Sequence, residues 1–132
     1  MRALLDTHVL LWWLFDDPAL SKRARDIIAD PDNDVLVSSV AGWEISTKHR
    51  LGKLPEAEEA VRDLPALLRR ARMEVLPITL EHALAAGALP GPHRDPFDRM
   101  LIAQSRLEMR SLGDRIDFQR RPPAQRKRRP KR

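Results

Sequence analysis

The chain opens on a short apolar run, residues 2–5, which stops at Asp6-Thr7 and reads as a buried strand. Residues 8–15 are almost entirely apolar and read as a short buried helix, ended by Asp16-Asp17-Pro18. Ser21 has the chemistry of an N-cap for a helix through Ala29, with Ala24, Ile27 and Ile28 on its apolar side. After the turn residues Pro31-Asp32-Asn33, Val35-Leu36-Val37 supplies a β-branched strand core. Ser38 or Ser39 caps the next helix, which runs to about Leu51 ahead of Gly52. Residues 64–72 give a further helix and residues 75–78 a third strand. Thr79 caps a helix through about Ala88, and a Pro/Gly loop fills residues 89–94. Asp95-Pro96 starts the last clear helix, which runs to about Glu108; aspartate at the N-cap with proline after it is a strong start signal. Strands separated by helices predict an α/β fold, a central parallel sheet with helices on both faces. Residues 109–118 carry Gly113 and the charged Arg110, Asp114, Arg115 and Asp117, a poor pattern for a buried strand.

Composition narrows the picture. A chain of 132 residues, 42% hydrophobic and 33% charged, suits one folded domain. The absence of cysteine excludes a disulfide framework, a thiol nucleophile and a thiolate zinc site. The longest strongly apolar run, residues 9–15, is far short of the roughly 20 residues that span a bilayer, and no small-residue cleavage pattern follows it. No membrane association is expected, and a cytoplasmic location is. The net charge of +5 misleads: of 24 Lys and Arg, eight fall in residues 119–132, leaving 16 against 19 acids in residues 1–118. The basic balance thus belongs to a tail. Residues 1–118 are expected to form the domain and residues 119–132 a disordered basic end, solvated rather than a sequence-blind RNA contact.

Most of the acids fall on polar faces or in turns; three do not. Glu44 shares the apolar stripe of its helix with Val40 and Leu51. Asp98 is followed at three and four residues by Leu101 and Ile102, on or beside a second stripe. Asp6 ends the first strand, at the rim where open parallel sheets bind ligands. Each has a simpler explanation alone: Asp6 as a helix cap, Asp98 as a first-turn acid favoured by the helix dipole, Glu44 turned out to solvent. Together they are harder to dismiss. Two carboxylates about 5 Å apart repel by roughly 3 kcal/mol at an effective dielectric near 20. Lys48, one turn past Glu44, is the nearest compensating base, and none lies on the stripes themselves. A divalent cation relieves the crowding. An all-oxygen donor set favours Mg²⁺, with Mn²⁺ as substitute, and such ions engage phosphate esters.

Three segments carry a family resemblance. Leu4-Leu5-Asp6-Thr7-His8, Ser38-Ser39-Val40-Ala41-Gly42-Trp43-Glu44-Ile45 and the block from His93-Arg94-Asp95-Pro96-Phe97-Asp98-Arg99-Met100 to Gln104 resemble the signature blocks of PIN-domain ribonucleases, nearest to the VapC-like toxins of type II toxin–antitoxin systems. The resemblance implies a three-layer PIN-like fold, Mg²⁺-dependent RNA cleavage, a homodimer and a cognate antitoxin that enters the active groove. It carries Asp6, Glu44 and Asp98 onto the family's acidic metal site, with Thr7 and Asp95 beside them. His93, Arg94 and Arg99 are expected to support the site or meet substrate. Family members continue with an apolar strand, a further site acid and a final strand. Here only Asp114 or Asp117 is available as the fourth acid, so the C-terminal strand or strands are expected to be missing or altered. Two functions follow: a metal-dependent endoribonuclease toxin, or a catalytically impaired remnant that only dimerises and binds antitoxin or RNA. A third, an aspartyl-nucleophile phosphohydrolase built on Asp6, wants a second acid two residues on, where His8 stands.

The remaining polar and aromatic residues are read more plainly. His8, His49, His82 and His93 lack zinc-ligand spacing. Trp12, Trp13 and Trp43 are expected in packing, Trp43 in the core. Leucines around residues 64–68 and 80–84 are expected on core faces or partner grooves.

Overall fold

The computed structural model describes residues 1–92 and 95–109. Three strands, β1 (Arg2–Leu4), β2 (Asp34–Ser38) and β3 (Glu74–Leu76), form a parallel sheet in the order β1-β2-β3. Arg2 and Leu4 pair with Asp34 and Leu36; Leu36 and Ser38 pair in turn with Glu74 and Leu76. Six α-helices accompany them among the described residues: α1 (Thr7–Leu14), α2 (Lys22–Ala29), α3 (Ser39–Arg50), α4 (Glu58–Arg70), α5 (Leu80–Ala88) and α6 (Pro96–Glu108).

Strand alternation divides the core in two. Ala3, Leu5, Val35 and Val37 pack on one face with Val9 and Leu10 of α1, Ile28 of α2, Ile45 of α3 and Leu68 of α4. Leu4, Leu36 and Leu76 take the other face with Leu101 of α6 and Met109. Helices thus cover both sides of the sheet, and the expected three-layer α/β architecture holds. The expectations for residues 110–118, among them an altered C-terminal strand and Asp114 or Asp117 as a fourth acid, lie outside the described residues. So does the basic tail, 119–132.

The caps read from sequence are in place. Ser21, Ser38, Thr79 and Asp95 each accept a hydrogen bond from a backbone N–H in the first turn of α2, α3, α5 and α6. Gly52, at φ 79°, turns the chain out of α3, its N–H donating to the His49 carbonyl.

Two expectations change. The helix expected over residues 64–72 begins at Glu58 and is kinked at Asp63 (φ −156°, ψ 64°). The Asp63 carboxylate accepts from the Ala66 N–H at 3.2 Å, so it caps the second segment, which Pro65 opens. The first segment, rich in Glu and Ala, shows too few apolar positions for a period to be read. Trp43, expected in the core, is 58% exposed. Its neighbours Val40, Ala41, Glu44 and Ile45 take the buried side of α3, and its ring meets Phe97 edge-on at 4.7 Å.

Candidate active site

β1 ends just before Asp6, and α1 begins just after it. Asp6 is therefore the N-cap of α1, its Oδ1 accepting from the His8 N–H at 2.8 Å. The simple explanation of this acid is realised, yet a quarter of its side chain remains open to solvent. His8 Nδ1 lies 3.7 Å from the same oxygen. A side-chain hydrogen bond accepted by the Asp6 carboxylate raises the His8 pKa above 6.5 against the lowering effect of partial burial; the charges of Asp6 and Glu44 add to the rise and Lys48 opposes it. Thr7, next in the chain, is buried, and its Oγ1 has no hydrogen-bond partner among the described residues.

Glu44 projects from the buried side of α3 with only 7% of its side chain exposed. It does not turn out to solvent. Lys48, one turn further, donates from Nζ to Glu44 Oε2 at 2.6 Å and is itself 26% exposed. The same ammonium stands 5.9 Å from the centre of the Phe97 ring. Burial lowers the Lys48 pKa, but the hydrogen bond and charge of Glu44, with the charges of Asp95 and Asp6, outweigh it, and the net direction is upward. One cation thus lies within electrostatic reach of three carboxylates from three different elements.

The third element is the start of α6. Asp95 Oδ1 accepts from the Phe97 N–H at 2.8 Å and the Asp98 N–H at 3.3 Å. Asp98 follows in the first turn and is exposed. The three acids set apart by the sequence thus differ in burial: Glu44 is buried and Asp6 partly so, while Asp98, expected on or beside an apolar stripe, lies at the surface because it stands at the edge of the side of α6 that Phe97 and Leu101 cover. Arg99, expected to support the site or meet substrate, donates to the carbonyls of Ala86 at 3.0 Å and Leu89 at 2.6 Å, tying the end of α5 to α6. His93 and Arg94 lie outside the described residues.

Among the described residues, no three Asp, Glu or His side chains stand close enough to share one metal ion. Lys48 holds Glu44, and Asp6 caps α1. The donor chemistry nonetheless fits a hard divalent cation, being all oxygen, and the orphaned, buried Thr7 hydroxyl beside Asp6 is a polar atom awaiting a partner. Asp6 and Glu44, with Asp98 or Asp95, are the residues that would hold it.

An apolar cleft of about 320 Å³ lies between α3 and α4, lined by Val37, Gly42, Ile45, Leu64 and Leu68. Sequence reasoning undervalued two residues. Lys48 was visible as an i, i+4 partner of Glu44. His82 is buried, its Nε2 2.8 Å from Glu108 Oε2, and its Nδ1 accepts from the Thr79 N–H at 3.0 Å. It plays the part usually taken by Glu or Gln in a capping box, and the Thr-x-x-His spacing was its signal.

The family model for the PIN domain matches residues 3–111. The chain belongs to the PIN domain family. Over 64 residues, 48% of the chain, it is 37% identical to Ribonuclease VapC16 of Mycobacterium tuberculosis (strain ATCC 25618 / H37Rv). That match takes in 44% of the relative, so the chain spans under half of its length. The crystal structure of VapBC2 from Rickettsia felis, bound to a DNA fragment from their promoter, has the same fold, with a TM-score of 0.55 over 80% of each chain at 16% identity. Among the described residues of this PIN domain, no helix is long and apolar enough to cross a membrane.

Proposed function

We propose that this PIN domain is a Mg²⁺-dependent endoribonuclease, the toxin of a type II toxin–antitoxin pair, acting in the cytoplasm as a homodimer. The observation that carries the reading is the enclosed Glu44, paired at 2.6 Å with a Lys48 ammonium that also feels the charges of Asp95 and Asp6, from the starts of α6 and α1. The similarity to a ribonuclease VapC supports it.

In this reading Asp6 and Glu44 are the inner ligands, and Asp98, in the first turn of α6, completes the set at the solvent side. A divalent cation bound there supplies the positive charge that phosphodiester hydrolysis needs at the attacking and departing oxygens. The chain's own contribution is placement. Capping fixes the Asp6 carboxylate at the sheet rim, and burial fixes Glu44 on α3. The Thr7 hydroxyl, left without a partner by the protein, donates to a ligand or water at the inner side. The N-terminal end of α6 favours a phosphate next to Asp95 and Asp98 once the acids are neutralised.

Two surfaces support the proposed partners. The cleft between α3 and α4 suits apolar side chains of an antitoxin segment. On α5, Leu80 and Leu84 are 77% and 68% exposed, one turn apart, which favours a self-association face.

The test is incubation of purified protein with structured RNA and Mg²⁺ or Mn²⁺, with EDTA controls. Cleavage is expected, and Asp6→Asn and Asp98→Asn are expected to reduce it by at least about 10²-fold, the scale of losing a group that stabilises transition-state charge. Intact RNA at all metal concentrations, with folded protein, favours the second reading, a non-catalytic PIN domain that binds antitoxin or RNA. The Lys48–Glu44 pair is the feature on that side, since it neutralises a site acid without metal.

A further inference from the structure

The Lys48–Glu44 pair is unlike a solvent-exposed i, i+4 pair. Glu44 is almost fully enclosed, Lys48 is three-quarters enclosed, and their 2.6 Å contact is that of a charge-assisted hydrogen bond. A carboxylate so enclosed without a cation is strongly destabilising. The other i, i+4 pair of the described helices, Lys22–Asp26, lies open to solvent. Lys48 also draws on Asp95 and Asp6, so its ammonium sits amid the acids to which the metal reading assigns a divalent ion. Both cations draw on the one enclosed Glu44 carboxylate.

We propose that Lys48 is a built-in counter-cation, which holds the acidic recess together in the metal-free protein and must release Glu44 before a divalent ion binds. This inference rests on the metal reading given above. It makes Lys48 a positioning residue: metal affinity is set low by competition, and the recess stays folded without metal. The released ammonium, which stands 5.9 Å from the centre of the Phe97 ring, remains beside the site.

The experiment is Mn²⁺ titration by calorimetry of the full 132-residue chain and its Lys48→Met and Lys48→Arg variants, with melting curves in EDTA. Lys48→Met is expected to melt lower in EDTA, to bind Mn²⁺ roughly tenfold more tightly, equivalent to about 1.4 kcal/mol, and to gain more in melting temperature from Mn²⁺ than the parent does. Lys48→Arg, which keeps the charge, is expected to bind Mn²⁺ no more tightly than the parent. Equal or weaker Mn²⁺ binding by Lys48→Met overturns the inference while leaving the metal reading standing. No Mn²⁺ binding by parent or variant overturns both. Should Lys48→Met not fold, the lysine ammonium ¹H–¹⁵N signals of the parent decide the matter. Saturating Mg²⁺ is expected to shift the Lys48 signal, and an unmoved signal overturns the inference.

Discussion

Asp6 does two jobs that a single substitution separates. As an N-cap it accepts the His8 N–H, and asparagine serves that role about as well as aspartate, whereas alanine costs about 1 kcal/mol. Asp6→Asn is therefore expected to melt close to the parent and Asp6→Ala measurably lower by thermal denaturation, though both lose RNA cleavage. The same carboxylate raises the His8 pKa, so in metal-free Asp6→Asn the His8 titration followed by NMR is expected to move back toward 6.5. The sign for stability follows from that direction. A histidine whose pKa rises on folding contributes stability that is fully present below the unfolded value and is lost as pH rises through the raised folded value. The small pH dependence of melting across that window is expected to weaken in Asp6→Asn. Leu51, one expected stripe partner of Glu44, is 53% exposed at the C-cap of α3; of the residue-level readings, burial of Glu44 was legible from Val40, four positions before it. The exposure of Asp98 and Trp43 was not: an apolar stripe has edges, and only the neighbouring helix decides which side of an edge is covered.

At the scale of elements, caps and breakers were the most readable features. Ser21, Ser38, Thr79 and Asp95 act through backbone N–H groups two or three residues away, and such interactions need no tertiary contact. The first half of α4 escaped notice because Asp63 and Pro65 look like a start, and they do start a segment, but the chain is already helical before them. Arg99 was equally opaque. Its position in the last signature block suggested support of the site or substrate contact, yet it holds carbonyls at the C-terminal end of α5, an interaction between elements that no local pattern encodes. Arg99→Met keeps the stem and removes those donors. It is expected to destabilise the fold by about 1–3 kcal/mol in chemical denaturation, with faster amide exchange in the last turn of α5.

For the molecule as a whole, the two-sided core explains why the sheet can carry a polar rim. Ala3 and Leu5 on one face and Leu4 on the other anchor β1 from both sides, so Asp6 leaves the strand from a fixed point. Leu4→Ala, which opens a cavity among Leu36, Leu76 and Met109, is expected to cost about 2–5 kcal/mol in denaturant titration and to blunt metal binding by loosening that point. The exposed leucines of α5 bear on assembly. If they form the self-association face, Leu80→Glu with Leu84→Glu is expected to turn a dimer into a monomer in sedimentation while leaving the melting of the protomer within about 0.5 kcal/mol, as befits surface positions.

The sequence by itself determined the alternation of strands and helices and where most helices begin and end, because each of these is written in the spacing of neighbouring residues. Tertiary structure decided the rest: that Lys48 rather than solvent answers Glu44, that Asp98 lies at the surface, that His82 is enclosed against Glu108, and that Arg99 binds a neighbouring helix end. Charge pairing, burial of a stripe's edge and capping from a distance all depend on which elements are brought side by side, and that is fixed only when both faces of the sheet are covered.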